Sequence, residues 1–327
     1  MRECITGGNK QRAGRPLQKA RVSGRASGAY VWRVAALAAL LVLQACAPPR
    51  STGVTIGAKN FTEQVVLGEL LAQEIEAVDR EQGRPDERVA RRFYLAGSYL
   101  CHQALVSGRI DGYVEYTGTA LTAILKQPLP PPEQRSQVFE IVHSLYNLRF
   151  HVRVEPGLGF EDTFAMVMRA GDASRLHIDA ISDLRGRAQA LRLGVGYEFQ
   201  ARPDGLEGLE RIYGLHFARP RVMDLGLLYR ALVAGQVDLV AGNSTDGPIR
   251  ALGLKILKDD MHYFPPYEAV PLIREDSLRV HPEIQLAVDR LIGKVSAEEM
   301  QRMNDAVDAR HEDVGVVVRR FRTGKGL

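Results

Sequence analysis

The stretch Gln103-Ala-Leu-Val-Ser-Gly-Arg-Ile-Asp111 aligns without a gap on Arg230-Ala-Leu-Val-Ala-Gly-Gln-Val-Asp238. Ala, Leu, Val, Gly and Asp are identical, and Ile/Val and Ser/Ala are conservative exchanges. Each copy reads as a helix ended by glycine and followed by a strand. The register continues and sets Tyr116-Thr-Gly-Thr119 opposite Asn243-Ser-Thr-Asp246. A weaker echo sets Thr55-Ile-Gly-Ala-Lys59 opposite Arg192-Leu-Gly-Val-Gly196. The chain therefore holds two similar halves, each with a strand, a helix and a helix–glycine–strand unit that leads into a polar loop.

Working outward, Val54–Lys59 predicts a strand and Phe61 towards Val78 a helix. Phe93–Leu95 predicts a short strand, Ser98–Ser107 a helix, Ile110–Glu115 a strand and Gly118–Leu125 a helix. Prolines 128 and 130–132 punctuate the chain before a helix over Glu133–Asn147. Helices are also expected over Pro282–Ile292 and Ser296–Ala309. Alternation of strand and helix predicts α/β layers with mainly parallel strands. Two such lobes imply a cleft between them, and ligands in such sheets sit at the carboxyl ends of the strands. The loops after Lys59, Glu115, Val195 and Gly242 lie at those ends and carry short polar and aromatic residues, among them Asn60, Gln64, Tyr116, Thr119, Tyr197, Asn243 and Asp246. Tyr263-Phe-Pro-Pro-Tyr267 adds rings held by prolines of fixed φ. Aromatic faces around a polar pocket suit an organic cation, above all a quaternary ammonium that has no N–H to donate.

The first 45 residues differ from the rest. Eight basic residues and one acid precede the apolar run Val34–Leu43, which ends in Leu43-Gln44-Ala45-Cys46. Ten residues span roughly 15 Å as a helix, about half of a bilayer core. Residues 1–45 are thus expected to be a lipoprotein signal peptide, with Cys46 as the lipidated residue and the protein held at the membrane by that anchor, facing the periplasm or the cell surface. The chain has 43 basic and 39 acidic residues. Without the leader 35 and 38 remain, a balance near −3, so no nucleic-acid partner is expected. Cys101 is then the one cysteine left besides the anchor, which excludes an intramolecular disulfide in the remainder.

No set for catalysis stands out. Gly242-Asn-Ser-Thr-Asp246 has aspartate where a nucleophile elbow needs glycine. The eight histidines show no HExxH spacing, no CxxC pair exists, and Gly194-Val-Gly196 continues as Tyr-Glu rather than as a dinucleotide fingerprint. No enzyme activity, metal or cofactor is expected.

Gly57-Ala-Lys-Asn-Phe-Thr-Glu-Gln64, Cys101-His-Gln-Ala-Leu105, Glu115-Tyr-Thr-Gly-Thr119, Arg202-Pro-Asp-Gly-Leu206, Ser244-Thr-Asp-Gly247 and Phe264-Pro-Pro-Tyr267 resemble, in that order over 53–323, the osmoprotectant-type substrate-binding proteins of ABC importers. The resemblance implies a two-lobed α/β fold of the type II periplasmic-binding-protein kind, with lobe 1 at 51–160 plus 262–327 and lobe 2 at 161–261. It implies an aromatic cage for glycine betaine, choline, carnitine or a related solute, which a permease and an ATPase encoded elsewhere then import. Tyr116 and Tyr267 would be cage walls, and Gln64 and Thr119 polar contacts. Phe164 stands where many members have tyrosine, and Asn243 where an aromatic wall is usual. Asn60, Thr163, Tyr197 and Asp246 complete the expected site of a monomeric binder. A binding protein for another small zwitterion or amino-acid-like solute such as ergothioneine, and a ligand-sensing lobe for a membrane receptor, remain the alternatives.

Overall fold

A computed structural model describes residues 53–84 and 89–327; the leader at 1–45 and Cys46 lie outside the described residues. Among the described residues, ten strands form two five-stranded sheets. They are β1 (Thr55–Gly57), β2 (Ala90–Arg92), β3 (Gly112–Tyr116), β4 (Val152–Val154), β5 (Phe164–Arg169), β6 (Leu193–Val195), β7 (Arg221–Val222), β8 (Leu239–Asn243), β9 (Leu254–Ile256) and β10 (Ala269–Arg274). The first sheet has the order β2-β1-β3-β10-β4 and the second β7-β6-β8-β5-β9. In each, the fourth strand runs antiparallel to its neighbours. The sheets are thus mixed, with one reversed strand apiece.

The two orders are the same topology twice, and the repeat in the sequence is its footprint. Gly108 and Gly235 end their helices at φ +71° and +68°, a conformation that costs a side chain but not glycine. Arg109 and Gln236 donate to the carbonyls of Ala104 and Ala231, Ile110 and Val237 to those same carbonyls. Asp111 then accepts from the Thr55 amide at 2.7 Å, as Asp238 does from that of Arg192 at 3.0 Å. Each aspartate so joins its strand to the start of the parallel neighbour in the sheet, β1 for Asp111 and β6 for Asp238. The symmetry also reaches the reversed strands. Arg274 closes β10 and donates to the Leu105 carbonyl, and Arg169 closes β5 and donates to the Leu232 carbonyl. Each guanidinium adds a second donor to a helix-end carbonyl that already accepts the amide of the closing glycine, Gly108 or Gly235.

The chain passes from the first sheet to the second between β4 and β5 and returns between β9 and β10. The helix Thr62–Glu81 buries almost its whole length because the carboxy-terminal helices Glu283–Leu291, Ala297–Asp308 and Val314–Lys325 cover it. Its buried Glu74 accepts from Arg322 at 2.9 Å, so the charge is paired inside the stack.

Three local expectations are corrected. The second strand is Ala90–Arg92 and not Phe93–Leu95: Tyr94 has φ +62°, which breaks extension, while Ala90–Arg92 pair with Thr55–Gly57. The helix after the prolines begins at Val138, preceded by a 3-10 stretch, Pro132–Gln137. Gly118–Leu125 is a short α turn continued by a π-helical segment, Ala120–Ile124.

Candidate functional site

A cleft of about 310 Å³ opens where the carboxyl ends of β1, β3, β6 and β8 converge from both sheets. Lys59 follows β1 and is buried. Its ammonium donates to Ser98 Oγ at 3.0 Å and pairs with buried Glu115. Glu115 in turn accepts from the Tyr116 amide at 2.9 Å, which fixes the end of β3. The Lys59 ammonium lies 4.7 Å from the centre of the Tyr116 ring and 5.8 Å from that of Phe61.

On the facing side, Arg202 is held by Asp204, whose oxygens accept from Nε at 2.9 Å and from Nη2. Asp204 also accepts from the Tyr267 hydroxyl at 2.6 Å and the Thr122 hydroxyl at 2.8 Å. Burial opposes the Arg202 charge, but Tyr267 and Asp204 beside it outweigh that and hold the guanidinium protonated. Burial likewise raises Asp204, yet Arg202 and the two hydroxyls keep it below the ordinary carboxylate range. The guanidinium carbon stands 4.8 Å from the centre of Phe164. Phe164 meets Phe199 and Tyr267 edge-on at 4.9 and 5.7 Å, so the rings form one cluster. Glu198 lies 3.6 Å from Arg202 Nη1 and accepts the Ser98 amide at 2.7 Å, a direct bond between the second half of the repeat and the first.

Two fixed cations therefore border an aromatic cleft, and each keeps donors to spare. Lys59 uses two of three ammonium hydrogens, and the Nη1 hydrogens of Arg202 have only the longer Glu198 contact. Such a pair suits a carboxylate.

Of the residues expected from sequence, Asn60, Tyr116, Thr119, Phe164, Tyr197, Asn243 and Tyr267 line this cleft. Tyr197 stands at its mouth, largely exposed. Gln64, Thr163 and Asp246 do not line it. Gln64 is buried behind Tyr116 and its carboxamide makes no hydrogen bond of normal geometry. Thr163 lines a separate cavity, which Phe164 also borders. Asp246 lies beneath the strand end, where it accepts the Asn243 amide at 2.9 Å and the Tyr229 hydroxyl at 2.6 Å. The expected list omitted Arg202, Glu198 and Phe199, and had Lys59 only as a residue of the first cleft loop. Arg202 had a signal in the run Arg202-Pro-Asp-Gly-Leu206, one of the motifs that carry the family resemblance.

At the floor of the cleft and beneath it, burial raises the carboxyls of Asp162, which lines the cleft, and of Glu63 and Asp246, the last to about 7. Glu63 accepts from the Tyr116 hydroxyl at 2.6 Å, from Asn304 at 3.0 Å and from the Thr245 hydroxyl. One carboxyl so ties β3, the loop after β8 and the carboxy-terminal helices together. Gly118 lets this corner close, since a Cβ there would lie 2.8 Å from Pro265 Cγ and from the Pro266 carbonyl oxygen.

Residues 52–323 match the family described as the substrate binding domain of ABC-type glycine betaine transport systems. A carnitine transport binding protein of Listeria monocytogenes is 31% identical over 299 residues, covering 89% of this chain and 94% of that protein. A glycine-betaine-binding protein of Pseudomonas aeruginosa is 34% identical over 264 residues, 77% of this chain and 81% of that one. The crystal structure of a glycine betaine/carnitine/choline ABC transporter protein superposes with a TM-score of 0.69 at 32% identity, over 84% of this chain and 98% of that chain.

Proposed function

Because the chain belongs to the family of substrate-binding domains of ABC-type glycine betaine transport systems, we propose that it captures a betaine between its two lobes and delivers it to a permease. It is the extracytoplasmic solute-binding component of an importer of the glycine betaine, carnitine and choline class. The observation that carries the finer reading is the pair Lys59 and Arg202 with spare donors beside the rings of Tyr116, Phe164 and Tyr267. A quaternary ammonium suits the rings and a carboxylate the two cations, so a betaine or carnitine satisfies both where choline satisfies one.

In this reading lobe 1 comprises 51–160 and 262–327, lobe 2 comprises 161–261, and the two connections between them form the hinge. The protein acts as a single copy, turns over no substrate and needs no cofactor. Titration calorimetry with glycine betaine, carnitine and choline tests the reading. A ligand at a hundred times its Kd adds about 2.7 kcal/mol of stability, so a melt is a parallel check. Tyr116→Ala is expected to weaken glycine betaine by roughly 2- to 30-fold, the worth of about 0.5–2 kcal/mol for a ring face. Tyr116→Phe keeps the face and should bind nearly as wild type, while losing about 1 kcal/mol of stability with the Glu63 bond. If none of the three solutes binds wild type, the reading is wrong.

The anchor is part of the proposal. Leu43-Gln-Ala-Cys46 after a basic and then apolar leader supports lipidation of Cys46. In cells, Cys46→Ser is expected to move the protein out of the membrane fraction and to abolish labelling by a fatty-acid probe. Equal membrane retention of both forms, without label on the wild type, would rule out the anchor.

A further inference from the structure

Thr122 has one hydroxyl hydrogen and two acceptors for it. Its Oγ1 lies 2.8 Å from the Gly118 carbonyl oxygen and 2.8 Å from Asp204 Oδ2. A hydroxyl donates once, so the two bonds exclude each other at any instant. The first is the i−4 back-bond that a threonine makes inside a helix. The second joins the two halves of the chain. Thr122 sits in the π-helical segment Ala120–Ile124, which packs with the helices Ser98–Val106 and Val138–Phe150 of the first half. Asp204 lies between the helices Tyr197–Ala201 and Leu206–Tyr213, which follow β6 in the second. A π-helical turn is rare and frequent at functional sites, which fits a hydroxyl with two uses.

Both partners are buried, Thr122 at 4% and Asp204 at 2% exposed. Asp204 has a firm partner in its own half, since Arg202 donates to it through Nε and Nη2. Thr122 and Tyr267 reach the same carboxylate from elsewhere in the chain, and both donate to Oδ2. These two donors are neighbours: a Cβ on Gly118 would lie 2.9 Å from Tyr267 Cδ1. Thr122 and Asp204 line a separate groove with Lys126, Pro203 and Arg211, and neither lines the cleft. The Thr122–Asp204 bond therefore lies outside the solute's reach and on the group that orients Arg202.

We infer that Thr122 is the closure switch of the binding reaction: its hydroxyl bonds Gly118 while the lobes stand apart and turns to Asp204 when they meet. This rests on the proposed capture of a betaine between two lobes. Closure so exchanges a bond to a neutral carbonyl for one to a carboxylate, and that exchange favours the shut form. Thr122 is a positioning residue that touches no solute. Because Asp204 holds the Arg202 fork, the bond that shuts the lobes also fixes the guanidinium that takes the solute's carboxylate.

Titration calorimetry and a chase of labelled glycine betaine test this on Thr122→Val, Thr122→Ala and Thr122→Ser. Valine has the shape of threonine without the hydroxyl. Thr122→Val is expected to bind glycine betaine about 5- to 10-fold more weakly, the difference between a bond to a charged and to a neutral acceptor. The loss should lie in release, which speeds by that factor while association stays within about twofold. Thr122→Ser keeps the hydroxyl and should restore wild-type release. Thr122→Ala gives the same reading as valine should the β-branched variant misfold. Wild-type affinity and release in the folded hydroxyl-free variant, whatever its melting temperature, overturn the inference while the betaine reading stands. Fast release in Thr122→Ser as well overturns it too, since the hydroxyl is then not the cause. Failure of glycine betaine to bind wild type overturns the betaine reading and this inference with it.

Discussion

Arg202→Ala is expected to abolish measurable betaine binding and to lower stability by about 3 kcal/mol. The guanidinium is buried, stacked on Phe164 and forked onto Asp204. Removing one partner of a buried pair leaves the other charge in low dielectric, at a cost of about 3–5 kcal/mol. Asp204 keeps the hydroxyls of Thr122 and Tyr267, which places the loss near the lower end of that range. Binding suffers separately, because a charge-assisted bond to a ligand carboxylate is worth about 1.5–3 kcal/mol, or roughly 10- to 150-fold. Arg202→Lys keeps a charge but not the planar fork, and should recover part of the stability and less of the affinity. Denaturant melts and calorimetry with glycine betaine measure the two effects independently. Wild-type affinity in Arg202→Ala would place the ligand carboxylate elsewhere.

The stability of the protein should fall as the pH rises from about 5 to 7, and Asp246→Asn should flatten that slope. Burial and the neighbouring Asp162 raise the Asp246 carboxyl from 3.8 to about 7. Below both values the group is protonated in the folded and unfolded chain alike. Between them the unfolded chain has released its proton and the folded chain has not, so unfolding releases one and is favoured by higher pH. Above about 7 the group is ionised in both states, and the folded protein carries the burial penalty in full. Each such group contributes roughly 1 kcal/mol per pH unit within its window. Glu63 and Asp162 act in the same direction. Buried His102 is depressed by desolvation and acts in the opposite one, so the informative quantity is the difference between wild type and variant. Asparagine keeps an acceptor for the Tyr229 hydroxyl and the Asn243 amide but cannot titrate. Urea melts at several pH values should show the variant's dependence shallower by about 1 kcal/mol per pH unit, with the variant the more stable form near pH 8. Parallel curves would mean that Asp246 is ionised throughout.

Local pattern carried much of the architecture. The nine-residue repeat, with its two helix-ending glycines and two aspartates, specified a pair of equivalent helix–strand units because turn geometry and strand starts depend on residues a few positions apart. The motif order also brought Tyr116, Thr119, Phe164, Asn243 and Tyr267 into one list, and all five line one cleft. What local pattern could not reach are contacts between distant residues. The strand Ala90–Arg92 was expected three residues later, at Phe93–Leu95; its Arg91 pairs with Glu69 and Glu76 of the helix Thr62–Glu81, far away in sequence. β5 and β10 are symmetry equivalents with little sequence in common, matched through the helix-end carbonyls to which Arg169 and Arg274 donate. The exposed-looking Arg202 and Asp204 are buried together because Tyr267 and Thr122, more than sixty residues away in either direction, supply the remaining hydrogen bonds. Burial and long-range partners set the charge state and placement of these groups, so only the tertiary structure decided that Lys59 and Arg202, each held by its own buried carboxylate, border one cleft.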